Sequence, residues 1–295
     1  MSRTVTITDD PTVAEAWWDV LNPRQSSFDD WQFRFCFAQH TGVAFRFICS
    51  MNEGRPEALL ALQKSQLNGA LEAFGGSAME ENGVLWDGND PLAIHAVMNS
   101  IQEPFALLYC RQPEHLPEGW SSRPHAEKFV LPLSDVTPDT YLARFSSKSR
   151  AILRNKIEEI AALDPTIYEG GRAEVETMIT FNIEQFGDDS SFQFSGRKDA
   201  FLAFASLPSV RILSCSIGDT LMGVWVCVCA NGTYSYLNSG VRLGQAPNLG
   251  TYLVMKNIEF ARSQGTRLFD ACAYPFNWKE RMHLDKVPLW ELRNT

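Results

Sequence analysis

Val241-Arg242-Leu243-Gly244-Gln245-Ala246-Pro247-Asn248-Leu249-Gly250-Thr251 is the stretch on which the reading of this chain turns. A strand-like run, Thr233–Val241, leads into it, and a helix-like run, Thr251 to Gln264, leads out and stops at Gly265 as its C′ residue. Where a loop opens a helix, backbone N–H groups are unpaired and the positive end of the helix dipole faces outward, so the place is a ready anion site. Gly244 and Gly250 allow close approach of backbone to a ligand, and Asn248 is the residue type that next best tolerates positive φ. Two readings fit the loop taken alone. It is a cradle for a pyrophosphate-bearing ligand, or a plain strand–helix turn shaped by Gly and Pro.

Outward from the loop, the second half reads as helix Glu174–Phe186, polar loop Gly187–Gln193, helix Lys198–Ser206, and strands Val210–Ile217 and Leu221–Ala230 around Gly218-Asp219. Asn231-Gly232 turns the chain into Thr233–Val241. Strand Arg267–Tyr274, short helix Phe276–Met282 and strand Val287–Leu292 close it. This α-α-β-β-β-α-β-α-β order predicts a mixed α/β (α+β) sheet flanked by helices. Val224-Trp225-Val226-Cys227-Val228-Cys229 is apolar at every position, which predicts a central strand covered on both faces.

The first half carries a helix at Pro11–Leu21, a helix start at Ser27-Phe28-Asp29-Asp30, and a hairpin of Val43–Ser50 with Glu57–Gln63. A helix from Pro91 to Gln102 and strand Phe105–Cys110 follow. Pro113, Pro117 and Pro124 mark a surface connection, with Pro132 just past strand Lys128–Leu131. A helical stretch from Ser149 to Leu163 is stopped by Pro165. The boundary between halves is expected near residue 133, giving 1–133 and 134–295.

Composition bounds the function. The 295 residues are 45% hydrophobic and 21% charged, as in ordinary globular chains, and the formal net charge of −9 disfavours duplex nucleic acid as the main partner. Met1–Asp10 has no apolar core of a signal peptide, and no apolar run reaches the ~18 residues of a membrane helix. Seven scattered cysteines fit reduced, buried thiols and a cytoplasmic protein without metal. Cys227 and Cys229 share a strand face but lack further ligands at zinc spacing. No Gly-x-Ser-x-Gly elbow occurs, and the five histidines form no nucleophilic constellation by spacing.

The loop and its surroundings resemble the GNAT superfamily, whose acyl-CoA loop reads Arg/Gln-x-x-Gly-x-Gly/Ala. Here Gln245-Ala-Pro-Asn248-Leu-Gly250 stands in that place, with Asn248 for the first glycine. Tyr141-Leu-Ala-Arg-Phe-Ser-Ser-Lys-Ser-Arg150-Ala-Ile-Leu-Arg154, Gly218-Asp-Thr-Leu-Met-Gly223, and Leu268-Phe269-Asp270 followed by Trp278-Lys279-Glu280-Arg281 resemble the BioF2/CelD-like branch related to FemAB transferases. The resemblance covers about 139–295, and 1–133 by arrangement alone. It implies two tandem GNAT-like halves, the first degenerate because no such glycine loop precedes its helix at Pro91. It also implies an N-acyltransferase that uses acetyl-CoA or another acyl-CoA as co-substrate and a small-molecule amine as acceptor. Relatives that use aminoacyl-tRNA make tRNA the alternative donor, and a GNAT-fold half without catalysis is a third reading.

In such a half two parallel strands splay and the donor's pantetheine arm pairs with the exposed backbone. Those strands would be Thr233–Val241 and Arg267–Tyr274. A backbone N–H near Leu237–Asn238 would meet the thioester oxygen, and Val241, Gly244, Gln245, Asn248, Leu249, Gly250 and Thr251 would hold the rest of the donor. The amine's proton needs a base; Asp270, Asp188 and Glu184 are the candidates, and a hydrogen-bonded structural role fits Asp270 equally. Tyr274 is placed to protonate the leaving thiolate. Lys279 would hold an oxyanion or an acidic acceptor group, or be an ordinary surface lysine. Tyr234 and Tyr236 share a strand face that packs a core or lines the cleft. The run Arg144, Lys148, Arg150, Arg154, Lys156 is a solvated helix face or a docking surface for phosphates, an acyl carrier or tRNA.

Overall fold

The computed structural model describes residues 3–40, 44–66, 68–134, 136–194, 196–242, 244, 246–273 and 276–294. It divides into two compact units, Met1–Lys128 with Val287–Thr295, and Phe129–Lys286. The units therefore part at 128/129, a few residues ahead of 133, and the last strand folds with the first unit.

In the first unit the elements are β1 (Arg3–Thr8), α1 (Pro11–Leu21), α2 (Trp31–His40), β2 (Phe45–Asn52), β3 (Arg55–Lys64), β4 (Leu71–Ala73), β5 (Leu85–Trp86), α3 (Pro91–Met98), β6 (Ala106–Cys110) and β7 (Trp120–Pro132, ending in the second unit). Order β1-β2-β3-β4, with β5 also on β3, makes a five-stranded sheet whose ladders are antiparallel. Because side chains alternate across a strand, Ile48, Ala58, Leu60 and Leu62 meet Ala93, Ile94 and Val97 of α3. Their neighbours Phe47, Cys49 and Leu59 meet Ala14, Trp18 and Leu21 of α1 on the other face. Asp10 caps α1 through Thr12 N–H, and Asp90 caps α3 through Leu92 N–H. The strand at Arg3–Thr8 was missed although Val5 and Ile7 alternate with threonines there, whereas the strand residues of the proline-marked stretch, from Trp120 on, carry no clear period-2 apolar signal.

The second unit holds α4 (Pro138–Leu142), α5 (Ser147–Ala161), β8 (Pro165–Glu169), α6 (Arg172–Phe186), α7 (Arg197–Phe204), β9 (Val210–Ile217), β10 (Thr220–Ala230), β11 (Thr233–Val241), α8 (Leu249–Ser263), β12 (Leu268–Asp270) and α9 (Asn277–Arg281). β13 (Asp285–Asn294) pairs with β6. The sheet runs from the end of β7 through β12, β11, β10 and β9 to β8, and β11 with β12 is its parallel pair. Trp225 and Cys227 of β10 enter one core with Leu253 and Ile258 of α8. Val224, Val226 and Val228 are buried on the opposite face, where α6 packs. The central strand is thus covered on both sides, as its composition predicts.

Pro165 ends no more than a helix in the sequence reading; in the fold it opens β8. A proline lacks the N–H a ladder needs, and the first residue of an edge strand is where that loss is tolerated. Strand Arg267–Tyr274 is corrected to Leu268–Asp270, for a reason that lies in the site.

Candidate functional site

The site begins where two strands part. β11 and β12 pair at Thr233–Leu268, Tyr234–Phe269 and Ser235–Asp270, and among the described residues the pairing stops there. On its other side the chain after β12 stays bound to the end of β7: Ala271 N–H donates to Phe129 O (2.8 Å) and Phe129 N–H to Cys272 O (3.2 Å). The second edge is therefore held away while β11 runs on to Val241.

Two buried side chains fix this departure. Cys272 has φ of 63°, a left-handed conformation that costs a non-glycine residue about 1 kcal/mol or more. Asp270 Oδ1 accepts its N–H at 2.8 Å, and Lys279 Nζ donates to its carbonyl at 3.0 Å. Asp270 is fully buried and Lys279 is 3% exposed. The Lys279 ammonium lies 5.4 to 5.9 Å from the ring centres of Phe129, Phe276 and Trp278, within the range of cation–π attraction. Lys279 is not a surface lysine. Glu184 and Asp188 are exposed.

Along β11 the register to β10 shifts between Val226–Asn238 and Cys227–Tyr236, which leaves Leu237 as the bulged residue. A bulge re-aims the backbone groups around it. Tyr236 faces Trp278 and Phe269 at ring distances of 5.6 and 6.3 Å. Burial pushes the Tyr234 and Tyr236 phenols up from their ordinary value. Tyr234 O–H also donates to Asn257 Oδ1 of α8 at 2.7 Å inside the core. Leu237, Asn238 and Val241 are half-buried.

Beyond β11, Arg242 is pinned by Leu221 O at 3.2 Å and the Phe181 ring at 5.3 Å. Gly244 takes φ of +78°, and Asn248, the N-cap of α8, takes φ of 72°. The sequence departure at Asn248 is thus one that keeps a left-handed backbone. Its side chain does not cap the helix; Nδ2 donates to Glu159 Oε2 of α5 at 2.9 Å. Leu249 anchors the first turn in the core, half-buried Thr251 donates its N–H to Asn248 O, and an added Cβ at Gly250 would meet nothing within 4 Å. Gly250 N–H donates to no described residue. Gln245 and Tyr274 lie outside the described residues.

Behind β11 stands α6. A Cβ on Gly240 would lie 2.4 Å from Met178 O and 2.9 Å from Phe181 Cβ, so only glycine lets the helix come this close. One turn on, Asn182 Nδ2 reaches Asn238 Oδ1 (3.3 Å) and Ser239 O (3.4 Å), and Ser190 O–H donates to Asn182 Oδ1 (2.8 Å). Gly240, Asn182 and Ser190 were missed in the sequence. A lone glycine inside a strand is the one signal that pointed to a close backbone approach.

Residues 147–280 match the family model described as an acetyltransferase (GNAT) domain. Among curated proteins none matches the chain. Solved structures that share its fold include three that cover nearly the whole chain. FemX is 11% identical, with a TM-score of 0.67 over 99% of this chain and 97% of that one. L-PGS from Bacillus licheniformis is 12% identical, with a TM-score of 0.64 over 97% of this chain and 92% of that one. A tandem GNAT protein from the clavulanic acid biosynthesis pathway is 11% identical, with a TM-score of 0.54 over 100% of this chain and 98% of that one. A fork with a bulged first strand, a left-handed turn into α8 and the match of residues 147–280 to an acetyltransferase (GNAT) domain coincide on one unit, and the chain shares its fold with FemX and the tandem GNAT protein.

Proposed function

We propose that the chain moves an acyl group from a thioester donor, acetyl-CoA or another acyl-CoA, to an amine of a small molecule in the cytoplasm. The observation that carries this is the parting of β11 from β12 after Ser235–Asp270, with the bulge at Leu237 and the α8 N-terminus beyond the same strand end. In this reading the donor's extended arm pairs with the free edge of β11. The Leu237–Asn238 backbone meets the thioester oxygen. Val241, Gly244, Gln245 and Asn248 to Thr251 receive the pyrophosphate, whose charge suits the helix N-terminus. The amine nitrogen bonds to the carbonyl carbon and loses a proton, the C–S bond breaks, and the thiolate gains a proton. Asp270 is the proposed base and Tyr274 the proposed acid. Lys279 serves by holding the Cys272 turn rather than by reaching into solvent. Of the two halves expected at 1–133 and 134–295, the first, which takes in the last strand in the fold, is read as a degenerate GNAT-like half and the second as the donor-binding one.

A second reading, an aminoacyl-tRNA donor, draws on a specific observation. Glu159 sits against Asn248, a carboxylate beside the loop that a pyrophosphate would enter. Lys148 and Arg154 of α5, by contrast, offer exposed cations.

Titration of the protein with CoA in a calorimeter tests the first reading. Gly250→Asp adds a negative charge without a clash, because the space around Gly250 is open. It should weaken CoA at least about tenfold, or about 1.4 kcal/mol, while Gly250→Asn stays within a few-fold. Equal CoA affinity in folded Gly250→Asp protein removes the α8 loop as the donor site.

A further inference from the structure

The polar chain behind β11 fixes the orientation of both carboxamides in it. At one end Phe192 N–H donates to Ser190 Oγ at 3.3 Å, so the Ser190 hydrogen is free to point at Asn182 Oδ1, 2.8 Å away. At the other end Ser239 N–H donates to Asn238 Oδ1 at 2.8 Å. A backbone N–H can only donate, so the atom it meets must be the carboxamide oxygen and not the nitrogen. Asn182 must then present Nδ2 to Asn238 Oδ1, in agreement with its own oxygen accepting from Ser190. Ser190 is 1% exposed and Asn182 is 7% exposed, so this orientation is held within the protein.

Its outcome is at Asn238. The carboxamide oxygen is saturated by two donors, while Nδ2, with two N–H bonds, has no partner among the described residues and is not sealed from solvent. Asn238 follows the bulged Leu237, on the part of β11 that has left β12.

We propose that the side-chain amide of Asn238 donates a hydrogen bond to the acyl carbonyl oxygen of the donor, with Asn182 and Ser190 as positioning residues that aim it. This rests on the acyl-CoA reading of the fork and adds a neutral, preorganised donor to the backbone one. When the amine nitrogen bonds to the carbonyl carbon, the C=O π pair moves onto oxygen, and it returns as the C–S bond breaks. A donor fixed before the charge develops needs no reorganisation, which is what makes such groups effective. An amide also adds no charge, so it favours a carbonyl over a carboxylate in the same place.

The test uses the full chain, nitrogen-15 labelled, with two probes: CoA, which lacks the acyl carbonyl, and carba(dethia)acetyl-CoA, a ketone isostere that cannot transfer. The Asn238 NH2 resonances are identified by their loss in Asn238→Asp, which keeps the side chain's shape and its bond from Ser239 N–H. The expected result is a shift of these resonances with the ketone and not with CoA. Asn238→Asp should lose at least about tenfold in ketone affinity with CoA affinity kept within a few-fold. Ser190→Ala should abolish the ketone-induced shift and Ser190→Thr should restore it, an effect that mere packing would not produce. If the ketone binds in the calorimeter and the Asn238 resonances do not move, the inference is overturned and the acyl-CoA reading stands. If neither probe binds the folded protein, the acyl-CoA reading fails and takes the inference with it.

Discussion

At the scale of single residues, Lys279 is the one whose surroundings differ most from a simple expectation. A buried ammonium is tolerated only where hydrogen bonds and opposing fields replace its water. Here the replacement includes the Cys272 carbonyl and three aromatic faces. Lys279→Met keeps most of the stem and leaves Cys272 O still bonded to Phe129 N–H, so the unit should fold. The turn that carries the second edge away from β11 would lose its fixed position. We expect kcat/KM with the true acceptor to fall at least about tenfold, about 1.4 kcal/mol, with CoA affinity within a few-fold. Wild-type turnover would show that the turn needs no cation. The sequence singled out Lys279 and could not reveal its burial, because that comes in part from Phe129, 150 residues earlier in the chain.

Among elements, the contact of α6 with β11 is set by one atom. Gly240→Ala places a methyl group against the Met178 carbonyl, which belongs to the helix backbone and cannot rotate aside. Overpacking of this kind costs ~1–3 kcal/mol. The urea midpoint should drop accordingly, and the Asn182–Asn238 bond should loosen with it; an unchanged midpoint would mean that α6 shifts freely. α5 supports a different prediction. Lys148 and Arg154 are exposed, whereas Arg150 Nη2 is engaged with Phe145 O, so Lys148→Glu with Arg154→Glu is the cleaner reversal. With a free acyl-CoA donor this double variant should keep most of its activity across salt concentrations. With tRNA it should lose turnover, and wild-type binding should weaken steeply with salt. Strands β9, β10 and β11 were legible almost to the residue because apolar runs and Asn231-Gly232 delimit them. The fork was not. It depends on which edge β12 keeps, β7 or β11, and pairing partners distant in sequence leave no trace in local composition.

For the whole molecule, the cysteines give a collective property. All seven thiols are free, and Cys229 alone is not fully buried. Burial pushes Cys36, Cys215 and Cys229 up to about 11 and Cys49 up to about 12. An acid whose folded pKa is raised stabilises the fold fully below its unfolded value, near ~8.5, and this is lost as pH rises towards the folded value. Stability against urea should therefore decline from about pH 9 upwards. At pH 8 Ellman's reagent should label the native chain slowly and titrate seven thiols once it is unfolded. Fast native labelling would place a thiol at the surface. The mixed α/β class, the burial of most cysteines and the place of the glycine loop between β11 and α8 were readable from composition and pattern. The polar chain Ser190–Asn182–Asn238 was not, since nothing in a lone Asn or Ser says which neighbour it will meet.

The free edge of β11 has a consequence for solubility. Unpaired N–H and C=O groups along a strand are elsewhere a template on which a second chain adds and aggregation starts. Here the edge is short, six residues from Tyr236 to Val241, and the bulge at Leu237 interrupts its regular pleat. Both are devices that deny a flat foreign strand a register, and on the proposed reading they still let a thin ligand pair. Deleting Leu237 would straighten the edge, and light scattering from the concentrated protein should then rise even where the melting temperature is unchanged. The irregularity to which the proposed function gives a role in the reaction also keeps the protein from sticking to itself.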